Sequence, residues 1–177
     1  FIVILSRFAN LDKKMMDFSE SRNAYRSFEV SKNFFSPEII YEKGLYGQAL
    51  TIFSSLYLKT FGSSEFAIRA FIIFFSLLIF VALFLLRNYY DFSFLLTLAI
   101  MLLISPSMTY FSRSFKPDLF VLSLFSLLLL FLIKYLKNNK SSSLIFCFIL
   151  AGLMFTTKAD SIFLLFILSS FFLYLFL

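Results

Sequence analysis

Residues 66–86 read FAIRAFIIFFSLLIFVALFLL, and this stretch decides the class of fold. Its single charged residue is Arg69, close to the start. A helix of about 20 apolar residues is long enough to cross the hydrocarbon core of a bilayer. We therefore expect a membrane span here, with the Arg69 side chain reaching back toward water at the entry.

The pattern recurs along the chain, which has 177 residues, 60% of them hydrophobic, and a mean hydropathy of +0.91. Soluble domains are closer to half apolar. Further apolar runs cover residues 92–112, 119–133, 141–157 and 161–177, and Pro106 is expected to break the first of them. The sequence predicts an all-α, polytopic transmembrane helix bundle with about five spans in residues 66–177.

Before these runs lies a polar stretch, residues 10–44, which holds six of the ten acids: Asp12, Asp17, Glu20, Glu29, Glu38 and Glu42. We expect residues 1–9 to be the end of a first span and residues 10–65 to form a loop with short surface helices. One helix is predicted over 19–33 with Ser19 as N-cap. Another, over 45–58, is too short to span and should stop at Gly62, before an N-cap in the Ser64 region.

We expect both ends of the sequence to be truncated. The chain begins without Met and ends in an apolar run, so we expect it to be the N-terminal part of a larger transmembrane domain.

Loop charges predict the orientation. If residues 45–58 do not cross, the 10–65 loop shares one side with the turns at 105–118 and 158–160. The opposite side carries Lys134, Lys137 and Lys140 without an acid, which is typical of the cytoplasm. The acidic loop is then extracytoplasmic. Arg113, Lys116 and Lys158 depart from the charge rule on that side, so they are candidates for an anion site.

Composition excludes several kinds of chemistry. There is no His and only one Cys, so His general bases, Ser-His triads and Cys-based metal sites are absent from this sequence. Acid–base chemistry must use carboxylates, Lys, Tyr or water. In a membrane protein, the net charge of +6 is best explained by orientation in the membrane and by contact with anionic lipid, rather than by nucleic-acid binding.

Five short motifs are spread over nearly the whole chain, and their order can be compared with that of known families. They are DFSE at 17–20, TFG at 60–62, SSEFAIR at 63–69, SPSMTYFSR at 105–113 followed by Asp118, and GLMFTTK at 152–158. In this order the chain resembles the GT-C type membrane glycosyltransferases, which include protein O-mannosyltransferases and aminoarabinose transferases. That family usually has adjacent Asp and Glu in the first loop, whereas Phe18 and Ser19 separate the acids here.

The resemblance implies an enzyme that moves a sugar from a polyprenyl-phosphate or polyprenyl-diphosphate carrier to a hydroxyl of a protein, lipid or glycan acceptor. Catalysis would occur on the extracytoplasmic face of an integral membrane protein, in the cell membrane if the source is prokaryotic. The implied roles are a general base (Asp17, with Glu20 as its competitor), phosphate binding (Arg113, Lys158) and support of the site (Asp118, Asp160). A divalent cation could bind oxygen ligands here, but no spacing demands one.

Simpler interpretations accompany each residue. Asp17 could be a solvated loop acid or a carboxylate at a helix N-terminus. Arg113 could anchor the membrane interface beside Asp118, and Lys158 with Asp160 could form a turn salt bridge of little energetic weight. A transporter or flippase component, or an inactive homologue, is the rival function. The concentration of charge at span ends favours surface chemistry over a transmembrane path.

Overall fold

The structure, a computed structural model, describes residues 15–32 and 47–176, with side chains as far as residue 170. Within these residues the chain forms helices and no strand, which confirms the predicted all-α class. The helices are α1 (Phe18–Lys32), α2 (Gln48–Phe61), α3 (Glu65–Leu85) with a 3-10 turn (Leu86–Asn88), α4 (Phe92–Ile104), α5 (Pro106–Ser112), α6 (Pro117–Asn138), α7 (Ser141–Thr157) and α8 (Ser161–Phe176). The expected end of a first span, residues 1–9, lies outside the described residues.

Two of the described helices are long and apolar enough to cross a membrane: α3 with its 3-10 turn, Glu65–Asn88, and α6. A third span results if α4 and α5 count as one, although they are bent by 65°. The bend falls at Pro106, as predicted, because proline lacks the N–H that a continuous helix requires. The apolar helices α7 and Ser161–Ser170 are shorter. The expectation of five spans in residues 66–177 stays a prediction.

The start of α1 differs from the prediction. Oδ1 of Asp17 accepts the Glu20 backbone N–H at 2.7 Å and the Ser19 hydroxyl at 2.8 Å. Asp17 is therefore the N-cap, and the prediction of Ser19 was wrong. An ionised carboxylate satisfies an unpaired N–H at the positive end of the helix dipole.

The junction between α2 and α3 follows the sequence signals. Helix α2 ends at Phe61, and Gly62 adopts φ +88°, a conformation that a glycine reaches without a Cβ clash. The Ser64 hydroxyl then accepts the Ala67 backbone N–H at 3.1 Å and caps α3. This confirms the predicted stop at Gly62 and the predicted cap.

The core joins the surface helices to the longer ones. Helix α1 packs on α2 through its buried face, where the Ser54 hydroxyl donates to the Ser27 hydroxyl at 2.7 Å. Buried residues of α3, α6 and α7, among them Ile72, Phe120 and Met154, form the main cluster. Many large apolar side chains remain exposed on the span helices, including Phe74, Phe94 and Phe148. Exposed apolar surface of this extent suits a hydrocarbon surround.

Candidate active site at one end of the helix bundle

Ion pairs bring three distant segments together at one end of the bundle. They are the start of α1, the turn between α5 and α6 (residues 113–116, the α5–α6 turn) with the first helical turn of α6, and the turn between α7 and α8 (residues 158–160). Asp17 Oδ2 lies 2.6 Å from Lys116 Nζ, and Asp118 Oδ1 lies 2.7 Å from Lys158 Nζ. These are the segments that the sequence predicted to share one side of the membrane.

Asp17 is exposed, with 44% of its side chain accessible. The hydrogen bond from Lys116 is the main reason that the pKa of Asp17 is well below its usual range, and the Glu20 N–H and the Ser19 hydroxyl lower it further. The same contact raises the pKa of Lys116. Both groups are therefore charged at physiological pH.

Glu20 is one helical turn further along α1 and is buried. Its Oε1 accepts the Arg69 Nε–H and the Phe115 backbone N–H, each at 2.9 Å, and Oε2 lies 3.5 Å from Arg69 Nη2. Arg69 is fully buried, so the expected reach of its side chain toward water was wrong. A buried guanidinium requires a carboxylate partner, and Glu20 supplies it from the surface helix.

A cavity of about 300 Å³ lies beside these ion pairs. Basic side chains predominate among the charged residues that line it within the described part of the chain: Arg22 and Arg26 of α1, Lys116 of the α5–α6 turn and Lys158 of the α7–α8 turn, with Asp118 as the single acid among them. The remaining lining residues are Ser19, Asn23, Gly47, Leu50, Thr51, Pro117 and Thr157. The excess of positive charge makes this cavity suitable for an anion.

Sequence reasoning missed Arg22 and Arg26. With Ser19 and Asn23 they recur at intervals of three and four residues, which places them on one face of α1. That periodicity was a usable signal, because a helix over this segment had been predicted. No described carboxylate forms an ion pair with either arginine.

Of the two predicted phosphate-binding residues, one lines the cavity and the other does not. Lys158 lines the cavity and contacts both Asp118 at 2.7 Å and Asp160 at 3.4 Å, and these carboxylates raise its pKa, Asp118 more strongly. The predicted turn salt bridge to Asp160 is thus present. Arg113 is half-buried in the α5–α6 turn but does not line the cavity.

The acids at this end face lysines or an arginine rather than one another. In the described part of the chain, no three acid or cysteine side chains are grouped so that they could hold a metal ion. A carboxylate cage of the kind that Ca²⁺ uses is therefore not formed by these residues.

Comparison with known families agrees with this architecture. The family model described as dolichyl-phosphate-mannose-protein mannosyltransferase matches residues 49–177, which is more than half of the chain. The chain therefore belongs to this family, whose members are membrane glycosyltransferases of the GT-C type that use a lipid-linked sugar donor. Searches of curated proteins and of solved structures gave no match.

The matched region contains Arg69, Lys116, Asp118 and Lys158, but it begins after α1. Asp17 and Glu20 lie outside the matched region but contact its residues Lys116, Arg69 and Phe115, and the two cavity arginines of α1 line the cavity together with Lys116 and Lys158.

Proposed function

We propose that the chain is part of a glycosyltransferase that moves mannose from a polyprenyl-phosphate carrier to a hydroxyl group of a protein on the extracytoplasmic face. The donor and acceptor classes follow the description of the family. The observation that carries the assignment of the site is that Lys116 both lines the cationic cavity and contacts Asp17. A candidate base and a candidate phosphate site are thereby adjacent.

The cavity would receive the donor phosphate. Arg22, Arg26, Lys116 and Lys158 supply positive charge around it, and an arginine fork matches phosphate oxygens well. When the bond between the anomeric carbon and the phosphate oxygen breaks, negative charge grows on the phosphate. Fixed cations stabilise that charge without reorganisation.

Asp17 would act as the general base. As the acceptor oxygen bonds to the anomeric carbon, its proton passes to the Asp17 carboxylate while the carrier leaves as a phosphate. Because its pKa is lowered, Asp17 is a weak base that is ionised at physiological pH. It therefore accepts the proton late, once the bond-forming hydroxyl has become acidic.

Asp17→Asn tests this role cleanly, because asparagine caps a helix about as well as aspartate. The variant keeps the cap of α1 and removes both the base and the ion pair with Lys116. In membranes containing the full-length protein and radiolabelled polyprenyl-phosphate mannose, we expect transfer to fall by about 10² to 10⁴-fold, the usual range for a general base.

Asp91→Asn is the matched control, since Asp91 is an exposed acid outside the site whose side chain makes no cap hydrogen bond. It should retain transfer within about threefold of wild type. Full transfer by Asp17→Asn would reject the base assignment. Failure of well-folded wild type to use any of several lipid-linked sugars would favour a transporter, flippase component or inactive homologue.

A further inference from the structure

We propose that Glu20 is a positioning residue that fixes the α5–α6 turn through the Phe115 amide and so places Lys116 between Asp17 and the cavity. The functional consequence rests on the function proposed above, whereas the positioning itself can be measured without turnover.

Glu20 is held where it cannot reach an acceptor. Its side chain is 2% exposed, and Oε1 already accepts two hydrogen bonds, from Arg69 and from Phe115. A general base must lie within hydrogen-bond reach of the acceptor hydroxyl. Burial behind Phe115 therefore favours a structural use of this carboxylate and leaves Asp17 as the base.

The contact to Phe115 determines the backbone of a buried turn. Phe115 is fully buried, and its N–H donates to a carboxylate 95 residues earlier in the chain. The next N–H, of Lys116, donates to the Ser114 carbonyl at 2.8 Å, so the turn is tight. Loss of the Glu20 acceptor would leave a buried N–H without its partner, which is costly enough to shift a short turn.

Asp17 and Glu20 act on neighbouring residues. They are separated by one turn of α1, and they contact Lys116 and Phe115 respectively. Glu20 thus fixes the backbone at Phe115, and Asp17 orients the side chain of the next residue, Lys116. Movement of the turn would displace Lys116 from both the cavity and Asp17.

The competing explanation is that Glu20 only neutralises Arg69. Two double variants separate the explanations, because both remove the two buried charges. Glu20→Gln with Arg69→Met keeps an amide oxygen that can accept the Phe115 N–H. Glu20→Met with Arg69→Met has similar volume and no acceptor.

Hydrogen exchange of the full-length protein in detergent is the direct measurement, read on peptides that contain the Phe115 amide. We expect protection close to wild type in Glu20→Gln with Arg69→Met (the Gln/Met variant). In Glu20→Met with Arg69→Met (the Met/Met variant) we expect exchange at least about tenfold faster than in wild type. Equal protection in the two variants would overturn the proposal. If neither variant inserts, Glu20→Asp, which keeps both charges but is one methylene shorter, should raise exchange at the same amide, and unchanged exchange would overturn the proposal.

Kinetics supply the functional measurement. Relative to Glu20→Gln with Arg69→Met, the variant Glu20→Met with Arg69→Met should show a donor KM raised about tenfold and an unchanged acceptor KM, since Lys116 lines the proposed donor cavity. A difference in exchange without any wild-type transfer would reject the proposed function and retain the positioning role. Transfer with equal donor KM in both variants would reject the link between Glu20 and the cavity.

Discussion

Asp17, the N-cap of α1, and Glu20, in its first turn, both contact the α5–α6 turn and show how one helical turn can separate two kinds of ion pair. Glu20 and Arg69 are enclosed by the core, with side chains 2% and 0% exposed. Asp17 and Lys116 lie at the surface, with 44% and 21% exposed. The first pair connects the surface helix to a predicted span, and the second lies beside the cavity.

This difference shows that two carboxylates close in sequence can have different roles, one in folding stability and one in chemistry. A buried ion pair is strongly destabilised when one partner is removed, because the other charge is left without compensation in a low dielectric. An exposed pair contributes little to stability, since water and salt screen it. The buried pair should therefore govern folding, and the exposed pair is available for chemistry.

The largest effect is expected from Arg69→Met, which leaves the Glu20 carboxylate buried without its cation. We expect the free energy of unfolding to fall by about 3–5 kcal/mol. The measurement is thermal unfolding in detergent micelles with a thiol-reactive dye, since Cys147 is buried and becomes accessible on unfolding. A shift no larger than that of an exposed arginine would contradict the comparison.

Arg87→Met is the matched control for this experiment. Arg87 is exposed, and its guanidinium lies 4.2 Å from the centre of the Phe84 ring. A cation–π contact at an exposed site is worth about 0.5–1 kcal/mol. The control therefore removes the same side chain at a cost several times smaller.

Local signals in the sequence were sufficient for much of the fold. Gly62 and Pro106 act through their own backbone and Ser64 through its hydroxyl on the next helical turn, so the stop of α2, the cap of α3 and the break after α4 could be predicted. The contact between Asp17 and Lys116 also agrees with the prediction that the first loop and the turn at 105–118 share one side, because span alternation restricts which turns can meet.

The contacts of the site were less accessible to prediction. An arginine near the start of an apolar run fits both a side chain that reaches water and a buried ion pair. Only the contact of Arg69 with Glu20 of α1 decides between them. The pairing of Asp17 with Lys116 likewise depends on which face of α1 meets the α5–α6 turn. Periodicity reports the faces of a helix but not their partners.

The next effect concerns pH. Asp17 has a lowered pKa, so its ionised form, and any stability it adds, is present above the ordinary carboxyl pKa and is lost only as pH falls through the lowered value. Lys116→Met removes the largest cause of the shift. We expect the acid limb of kcat/KM to move to higher pH, toward the ordinary aspartate value of about 3.9.

Lys158→Met is the control for the pH experiment, because Lys158 is also a cavity cation but pairs with Asp118 and Asp160. It should lower donor affinity without moving the acid limb. Equal movement of the acid limb in both variants would show that general loss of positive charge, and not the contact with Asp17, sets the ionisation of the base.

The smallest effect should come from Asp118→Asn, which removes the closer partner of Lys158. Both side chains are more than a third exposed, at 41% and 36%. We expect the free energy of unfolding to change by less than about 1 kcal/mol, and the change to disappear in 1 M salt, where the screening length is about 3 Å.

The effect of Arg69→Met should persist in the same salt, because ions do not enter a buried pair. Thermal midpoints of both variants at low and high salt measure the contrast directly. If both shifts vanish together in salt, the pair of Glu20 and Arg69 is accessible to solvent, and the division between a folding pair and a chemical pair is wrong.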